Sequence, residues 1–248
     1  MTFPTAWQSR VETVIVSGAV FDYLGQFYFV KTVLLAVAAL FPIVDPLGAA
    51  PIYLAMTDGL SPGQRRPLAK AVAVNSFFLL IASTLVGAYV LDFFGLSIPA
   101  VQVAGGMVVS SVGWSLLNRP DSPAAPSRAT ELPTAANELS ERAFYPLTMP
   151  LTVGPGAMSV AVTLGANPEA GLRSMVITAT AHTVGILIVA VSVYLCYRHA
   201  DRIVTQLGPT GTSVVVRLSA FILLCIGVQI IWNGVRALLV GAFPAAAA

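Results

Sequence analysis

Six long apolar stretches constrain the fold of this sequence more than any other feature. A helix needs about 20 apolar residues to cross the hydrocarbon core of a bilayer. The stretches that meet this requirement are residues 32–55, 71–91, 98–117, 144–164, 175–196 and 214–239. A helix can also satisfy all of its own backbone hydrogen bonds inside lipid. The sequence therefore predicts an all-α polytopic membrane protein with six transmembrane helices.

The composition supports this prediction, since 56% of the residues are hydrophobic and only 10% are charged. A soluble domain carries about 25% charged residues, so lipid is expected to cover much of this surface. The formal charge of +2 is small and no basic cluster contains interleaved aromatics, so no nucleic-acid partner is expected. Glu12 lies at the start of the N-terminal segment that precedes the first span, and no basic segment comes before it, so no cleaved signal peptide is expected.

Positive charges are unevenly shared between the two sides of the predicted membrane domain. Nine of the thirteen Lys and Arg residues follow the first, third or fifth apolar stretch, and they are Arg65, Arg66, Lys70, Arg119, Arg128, Arg142, Arg198, Arg202 and Arg217. Connections rich in Lys and Arg normally face the cytoplasm. The sequence therefore predicts that both termini lie on the outer side.

The apolar stretches divide the chain into five regions. Residues 1–30 are predicted to include a helix in the membrane interface, because acidic and amide side chains are mixed there with aromatics. Residues 31–117 and 144–240 form two sets of three spans. Residues 118–143 are rich in Pro, Ala and Ser and predict a flexible cytoplasmic linker. Residues 241–248 are a short tail.

The two sets of spans resemble each other. Residues 42–49 read PIVDPLGA in the first span, and residues 150–157 read PLTVGPGA in the fourth. Both stretches combine prolines with a glycine in mid-span. Because three spans separate the copies, the second must cross the membrane in the opposite direction. The sequence therefore predicts two inverted-topology repeats, an architecture common among secondary transporters.

The broken first and fourth spans are the strongest pointer to a binding site. Proline removes a backbone donor and disturbs the preceding turn, which is costly in lipid unless protein or a water-lined cavity satisfies the freed groups. A half-helix N-terminus suits a carboxylate, and the carbonyls at the opposite end suit an ammonium group or a cation. The alternative is a pair of proline kinks that serves helix packing only.

Asp45 is the most informative single residue, because carboxylates inside membrane domains normally serve ions, protons or substrates. It could accept a proton or cation, or pair with a substrate ammonium group. It could also cap the half-helix that begins at Pro46, and the two roles are compatible. His182 is a second candidate for proton coupling, or else part of an interhelical hydrogen bond. Asn75, His182 and Gln102 are candidates to line the cavity at the two breaks, and Gln102 could instead join two helices by a hydrogen bond.

No motif in the sequence indicates hydrolytic, redox or ATP-driven chemistry. We therefore expect a protein that is not an enzyme, with no cofactor and no metal site. Cys196 and Cys225 lack metal-ligand spacing and are interpreted as packing residues. Gly105, Gly106 and Gly113 of the third span predict a close-packed helix surface, and a homo-oligomer built on that glycine-rich span is an open expectation.

Several strings resemble the MarC family of bacterial inner-membrane proteins, whose members include SnatA-type neutral amino acid transporters. They are FPIVDPLGAAPIYLAMT, FGLSIPAVQVAGGMVV, PLTMPLTVGPGAMSVAV and RLSAFILLCIGVQIIWNGV. The resemblance extends from about Lys31 to Arg236. It implies six transmembrane helices in the inner membrane and, for at least one member, uptake of small neutral amino acids driven by a cation gradient. Many relatives have Asn where this sequence has Asp45, so coupling through Asp45 does not carry over to them.

Together these observations predict a transporter of the glycine and alanine class, coupled to protons or sodium, with a site near mid-membrane. The predicted site residues are Asp45, Pro46, Leu47 and Gly48 of one repeat, and Thr152, Gly154, Pro155, Gly156 and Ser159 of the other. Two alternatives are an exporter with the same fold and a membrane scaffold without transport. A transporter predicts that both breaks converge on a polar cavity, and a scaffold predicts dry helix contacts.

Overall fold

The computed structural model describes residues 26–118, 141–166 and 172–242. Within these ranges the chain consists of helices and short turns and contains no strand. Most of the predicted interfacial segment, linker and tail lies outside the described residues. The all-helical class predicted from the sequence is confirmed for the part of the chain that the structure describes.

The first half contains four helices. Helix α1 covers residues 26–44 and is separated from α2 (Pro46–Met56) by Asp45 alone. Helix α3 spans Pro62–Phe93 and α4 spans Ile98–Leu117. Helices α2, α3 and α4 each have a proline in the first turn, where the missing N–H would have had no helical partner.

The second half also contains four helices. Helix α5 (Ala143–Thr152) is wide and irregular, and it is bent by 72° from α6 (Pro155–Gly165). Helix α7 spans Leu172–Arg198 and α8 spans Ala200–Ala242. A kink divides α8 where Gly208 has a φ of 65° immediately before Pro209.

Five of the described helical spans are long and apolar enough to cross a membrane, and there are six if the bent α5–α6 pair is one span. Two boundaries differ from those predicted. Residues 26–30, which the sequence assigned to the interfacial segment, form the start of α1. Helix α8 begins at Ala200 and not near residue 214, because a short helical segment before the kink at Gly208 joins the sixth span.

Two side-chain contacts define the ends of the helix bundle. The hydroxyl groups of Tyr28 and Thr178 lie 3.2 Å apart, so α1 and α7 begin at the same end, which we call the upper end. Arg65 and Asp201 form a 2.7 Å ion pair, so α3 and α8 begin together at the lower end. The lower end carries most of the described Lys and Arg residues and is the predicted cytoplasmic side.

The packing joins elements from both halves of the chain. Helix α4 packs along α8, α3 packs against α5, α6 and α7, α2 packs against α7 and α8, and α6 packs against α4. The buried core includes Leu40, Leu80, Ile186, Val189 and Val193. The outer surface exposes many large apolar side chains, such as Phe78, Phe93, Trp114 and Trp232. A surface of this kind fits contact with lipid.

Glycines allow α4 and α8 to approach closely. A Cβ added to Gly106 would lie 2.8 Å from the carbonyl oxygen of Gly227, and one added to Gly113 would lie 2.7 Å from the backbone nitrogen of Leu224. Gly105 instead faces Ser159 of α6. The predicted packing role of these α4 glycines is confirmed. Because they are buried within one chain, they are not free to form contacts between copies.

Candidate functional site

The first break is formed by Asp45, which lies in the left-handed region at φ 42° and ψ 63°. Asp tolerates this conformation better than most residues that carry a Cβ. Its Oδ1 accepts a 3.1 Å hydrogen bond from the backbone N–H of Gly48, which caps α2. The capping role predicted for Asp45 is therefore confirmed. The backbone N–H of Asp45 still donates to the carbonyl oxygen of Phe41 at 2.9 Å, and its own carbonyl oxygen accepts from the N–H of Ala49 at 3.0 Å. The break therefore disturbs the helical conformation of one residue only.

The second break is larger and begins inside α5. The hydroxyls of Thr148 and Thr152 donate to the carbonyl oxygens of Ala143 and Leu147, at 2.6 and 2.7 Å. These bonds reach back five residues and satisfy carbonyls in a helix that Pro146 and Pro150 interrupt. The irregular backbone is thus stabilised by its own threonines.

The second break ends where α6 begins. Gly154 is extended, at φ −89° and ψ 178°, and Pro155 is the first residue of α6. Within the described chain no side chain caps this helix. The first turn of α6 therefore presents backbone N–H groups and the positive end of its dipole without a capping acceptor.

Both breaks line one cavity of 360 Å³, which we call the lower cavity. It extends from Asp45 and Gly154 towards Met56 and Leu116 at the lower end, and Pro146 lies on its wall. Most of the wall is apolar, and it includes Ile52, Val109, Val112, Leu151 and Leu223. The volume lies near the small end of the range of about 300–1,000 Å³ that is typical of ligand pockets. The breaks converge, but on a cavity that is less polar than expected.

Six of the nine predicted substrate residues line the lower cavity, and they are Asp45, Gly48, Thr152, Gly154, Pro155 and Gly156. The other three do not. Pro46 is buried within α2, and Leu47 is 46% exposed on another side of that helix. Ser159 is buried, and its hydroxyl donates to the carbonyl oxygen of Gly156 at 2.9 Å. Ser159 therefore supports the packing of α6 from outside the cavity.

Ser219 of α8 is a site residue that the sequence did not reveal. Its side chain lies beside the Asp45 carboxyl, since a Cβ added to Gly48 would collide with both. A Cβ added to Gly48 would lie 2.8 Å from the Cβ of Ser219, so α2 and α8 are in close contact here. Only a lone serine in the sixth apolar stretch marks this position in the sequence.

Two tyrosines behind the second break were also missed. The rings of Tyr53 and Tyr197 stack, with centroids 4.4 Å apart and planes 13° apart. The Tyr197 hydroxyl lies 2.8 Å from Oγ1 of Thr152, and Tyr53 donates to the backbone oxygen of Arg65 at 2.9 Å. Because the Thr152 proton is already donated to Leu147, Tyr197 is the donor to Thr152. The stack connects the lower cavity with the lower end of the bundle.

His182 does not share a cavity with Asp45. It lines a second cavity of 260 Å³ between the upper parts of α1, α6 and α7, which we call the upper cavity. Other polar lining groups are Tyr28, Lys31, Thr32, Thr163 and Thr178. His182 is 7% exposed. The sequence suggested that His182 could line the Asp45 cavity, and the helix arrangement places it in the other one.

Neither Asn75 nor Gln102 lines the lower cavity. Asn75 is half-buried on α3, away from both cavities. Gln102 donates to Oγ1 of Thr163 at 3.5 Å and so joins α4 to α6, as expected for an interhelical contact. Among the described residues, no group of three or more His, Cys, Asp or Glu side chains lies close enough together to hold a metal ion.

Comparison with known proteins identifies a family match across most of the chain. Residues 30–239 match the family described as MarC family integral membrane protein. The UPF0056 inner membrane protein MarC of Salmonella typhimurium is 31% identical over 211 residues, which cover 83% of this chain and 94% of the relative. The MarC protein of Escherichia coli O1:K1 is 29% identical with the same coverage. A UPF0056 membrane protein of Methanocaldococcus jannaschii is 29% identical over 204 residues, covering 82% and 95%. No solved structure matches the chain.

Proposed function

Because this chain belongs to the MarC family of integral membrane proteins, we propose that it is a secondary transporter of small neutral amino acids. The proposed location is the bacterial inner membrane, in keeping with the names of the Salmonella and Escherichia relatives. The observation that carries the proposal is the convergence of the two broken spans on the lower cavity. A scaffold would have no need to maintain a cavity at two costly breaks.

The two breaks differ in chemistry, and together they match a zwitterion. Asp45 supplies a carboxylate for the substrate ammonium group, and the uncapped start of α6 at Gly156 and Ala157 supplies N–H groups for the substrate carboxylate. The apolar wall accommodates an aliphatic side chain. A net charge on the substrate side chain would be desolvated against Val109 and Leu151, which disfavours charged amino acids.

Asp45 is also the proposed coupling group, since it can carry a proton or hold a sodium ion. Its hydrogen bond from Gly48 fixes its position at the break without requiring a second charged residue. His182 lies in the upper cavity, so any part it has in coupling is separate from the substrate site at Asp45.

The packing pattern supports the two inverted repeats and six spans. The first repeat would consist of α1–α2, α3 and α4, and the second of α5–α6, α7 and α8. In this pairing α2 corresponds to α6, α3 to α7 and α4 to α8. The α2–α8 contact then corresponds to α6–α4, and the α3–α6 contact corresponds to α7–α2. All four contacts occur. The α4–α8 and α3–α7 contacts map onto themselves. Two repeats of three spans would be oppositely oriented, and the proposed mechanism is alternating access by rocking of one repeat against the other.

Reconstitution into liposomes tests this function. Purified protein should accumulate labelled glycine or alanine, and an imposed inward proton or sodium gradient should increase the uptake. Counterflow under opposite gradients distinguishes an importer from an exporter with the same fold. A folded, reconstituted sample that transports no neutral amino acid under any gradient would refute the proposal.

A further inference from the structure

The upper cavity has no assigned role, and its lining has a consistent chemistry. Among the described residues that line it, Lys31 supplies the one charged side chain, and the other polar groups are hydroxyls and the His182 ring. None of these described lining residues is acidic. A cluster that contains a cation and no carboxylate is suited to an anion.

His182 provides an independent indication that a ligand belongs here. The residue is 7% exposed, and within the part of the chain that the structure describes its ring has no hydrogen-bond partner. A buried imidazole needs a partner for at least one ring nitrogen. Because His182 lies on the cavity wall, a molecule in the cavity can supply that partner.

The remaining hydroxyls have defined directions. Thr32 donates to the backbone oxygen of Tyr28 at 2.9 Å, and Thr163 donates to the backbone oxygen of Ser159 at 2.8 Å. Their hydrogens are therefore engaged. The Thr32 oxygen is left as an acceptor, and the Thr163 oxygen, which already accepts from Gln102, keeps one further lone pair. The cavity thus combines donors at Lys31 and His182 with acceptors at Thr32 and Thr163, which is the complement of an α-amino acid.

The groups are arranged by depth. Tyr28 pairs with Thr178 nearest the upper end, and His182 follows Thr178 by four residues, or about 6 Å along α7. Lys31 is exposed and His182 is buried. A carboxylate attracted by Lys31 would therefore move inward towards His182.

We propose that the upper cavity is an outer binding station for the carboxylate of an α-amino acid, with Lys31 and His182 as its donors. This rests on the proposed transport function, for which the lower cavity is the inner site. The cavity of 260 Å³ is slightly smaller than a typical drug pocket and suits a small solute.

A kinetic experiment tests the role of Lys31. In liposomes, Lys31→Gln should raise KM for external alanine about tenfold, as expected for loss of a hydrogen bond to a charged group, with kcat little changed. Lys31→Arg should restore most of the affinity. The matched control is Lys70→Gln, which removes an exposed charge from α3 and should leave KM unchanged. An unchanged KM in active Lys31→Gln protein would overturn the proposal.

A labelling experiment separates this site from transport itself. Cys196 and Cys225 are first replaced by Ala. Thr178→Cys is then labelled with a membrane-impermeant maleimide added outside, and Leu35→Cys replaces it if Thr178→Cys does not fold.

Alanine and acetate should protect the cysteine and slow its labelling, whereas alaninamide and chloride should not. Lys31→Gln should abolish the protection. Protection by alanine without any transport would support the site while refuting the transport function. Three results would overturn the outer carboxylate station: transport of alanine without protection of the cysteine, protection by chloride as strong as that by alanine, or labelling only from the inside.

Discussion

The backbone nitrogen of Gly48 lies 3.1 Å from Oδ1 of Asp45 and donates a hydrogen bond to it. Ser219 of α8 lies beside the same carboxyl group. One side chain therefore caps α2, links α2 to a neighbouring helix and lines the lower cavity. Because the same atoms serve structure and the proposed binding, substitutions here must be chosen to keep one role while removing the other.

Asp45→Asn removes the charge and keeps the cap. Asn accepts a hydrogen bond from Gly48 and tolerates the left-handed conformation, so the variant should fold. Concentrative uptake should be lost, because a neutral amide carries no proton, whereas exchange of labelled for unlabelled alanine should be retained. Asp92→Asn, an exposed carboxylate on α3, is the control and should transport normally. Gradient-driven accumulation by Asp45→Asn at the wild-type level would exclude Asp45 as the coupling group.

Gly48→Ala should destabilise the protein. The added methyl group would collide with the Asp45 carboxyl and lie 2.8 Å from the Cβ of Ser219. Overpacking of this kind costs about 1–3 kcal/mol. Gly63→Ala at the exposed start of α3 is the matched control, since its nearest neighbour would be 3.8 Å away. Unfolding in detergent measures both variants, and equal stabilities would contradict the close α2–α8 contact.

Tyr197 and Thr152 should be energetically coupled through their 2.8 Å hydrogen bond. A double-mutant cycle with Tyr197→Phe and Thr152→Val should give a coupling energy of about 0.6 kcal/mol, with about 1.7 kcal/mol as the upper bound seen for membrane helices. Pairing Tyr197→Phe with Thr183→Val, an exposed position on α7, should be additive within about 0.5 kcal/mol. Additivity in both cycles would mean that the hydrogen bond contributes nothing to stability.

Arg65 and Asp201 should contribute differently to the free energy of unfolding, although they form one ion pair. The Arg65 side chain is 16% exposed and also donates from Nε to the backbone oxygen of Thr57 at 3.2 Å, whereas Asp201 is 53% exposed. Asp201→Asn should cost no more than about 1 kcal/mol and less at high salt. Arg65→Met should cost more, because it also removes the bond to Thr57. Thermal unfolding at low and high salt tests this, and the reverse order would contradict the contacts.

Much of the site could be predicted because its cause is local. Pro46 and Pro155 each stand at the first position of a helix, where the missing N–H has no helical partner, so local chemistry favours a break just before them. The capping role of Asp45 follows from the same local chemistry, because it involves a backbone group only three residues away. Leu47 and Ser159 were less predictable. They lie beside the breaks in sequence, but the rotation of each helix about its own axis decides which side faces the cavity.

The helical class, the positions of both breaks and the small-residue surface of α4 can be derived from the residues alone, because these features follow from hydrophobic length, proline and glycine. The folded arrangement of the helices determines which distant residues meet. It places Ser219 beside Asp45, stacks Tyr53 on Tyr197 and separates His182 into the upper cavity. These contacts depend on how helices far apart in the chain cross and rotate against each other. That is set by the packing of whole helix faces, which no single stretch of sequence specifies.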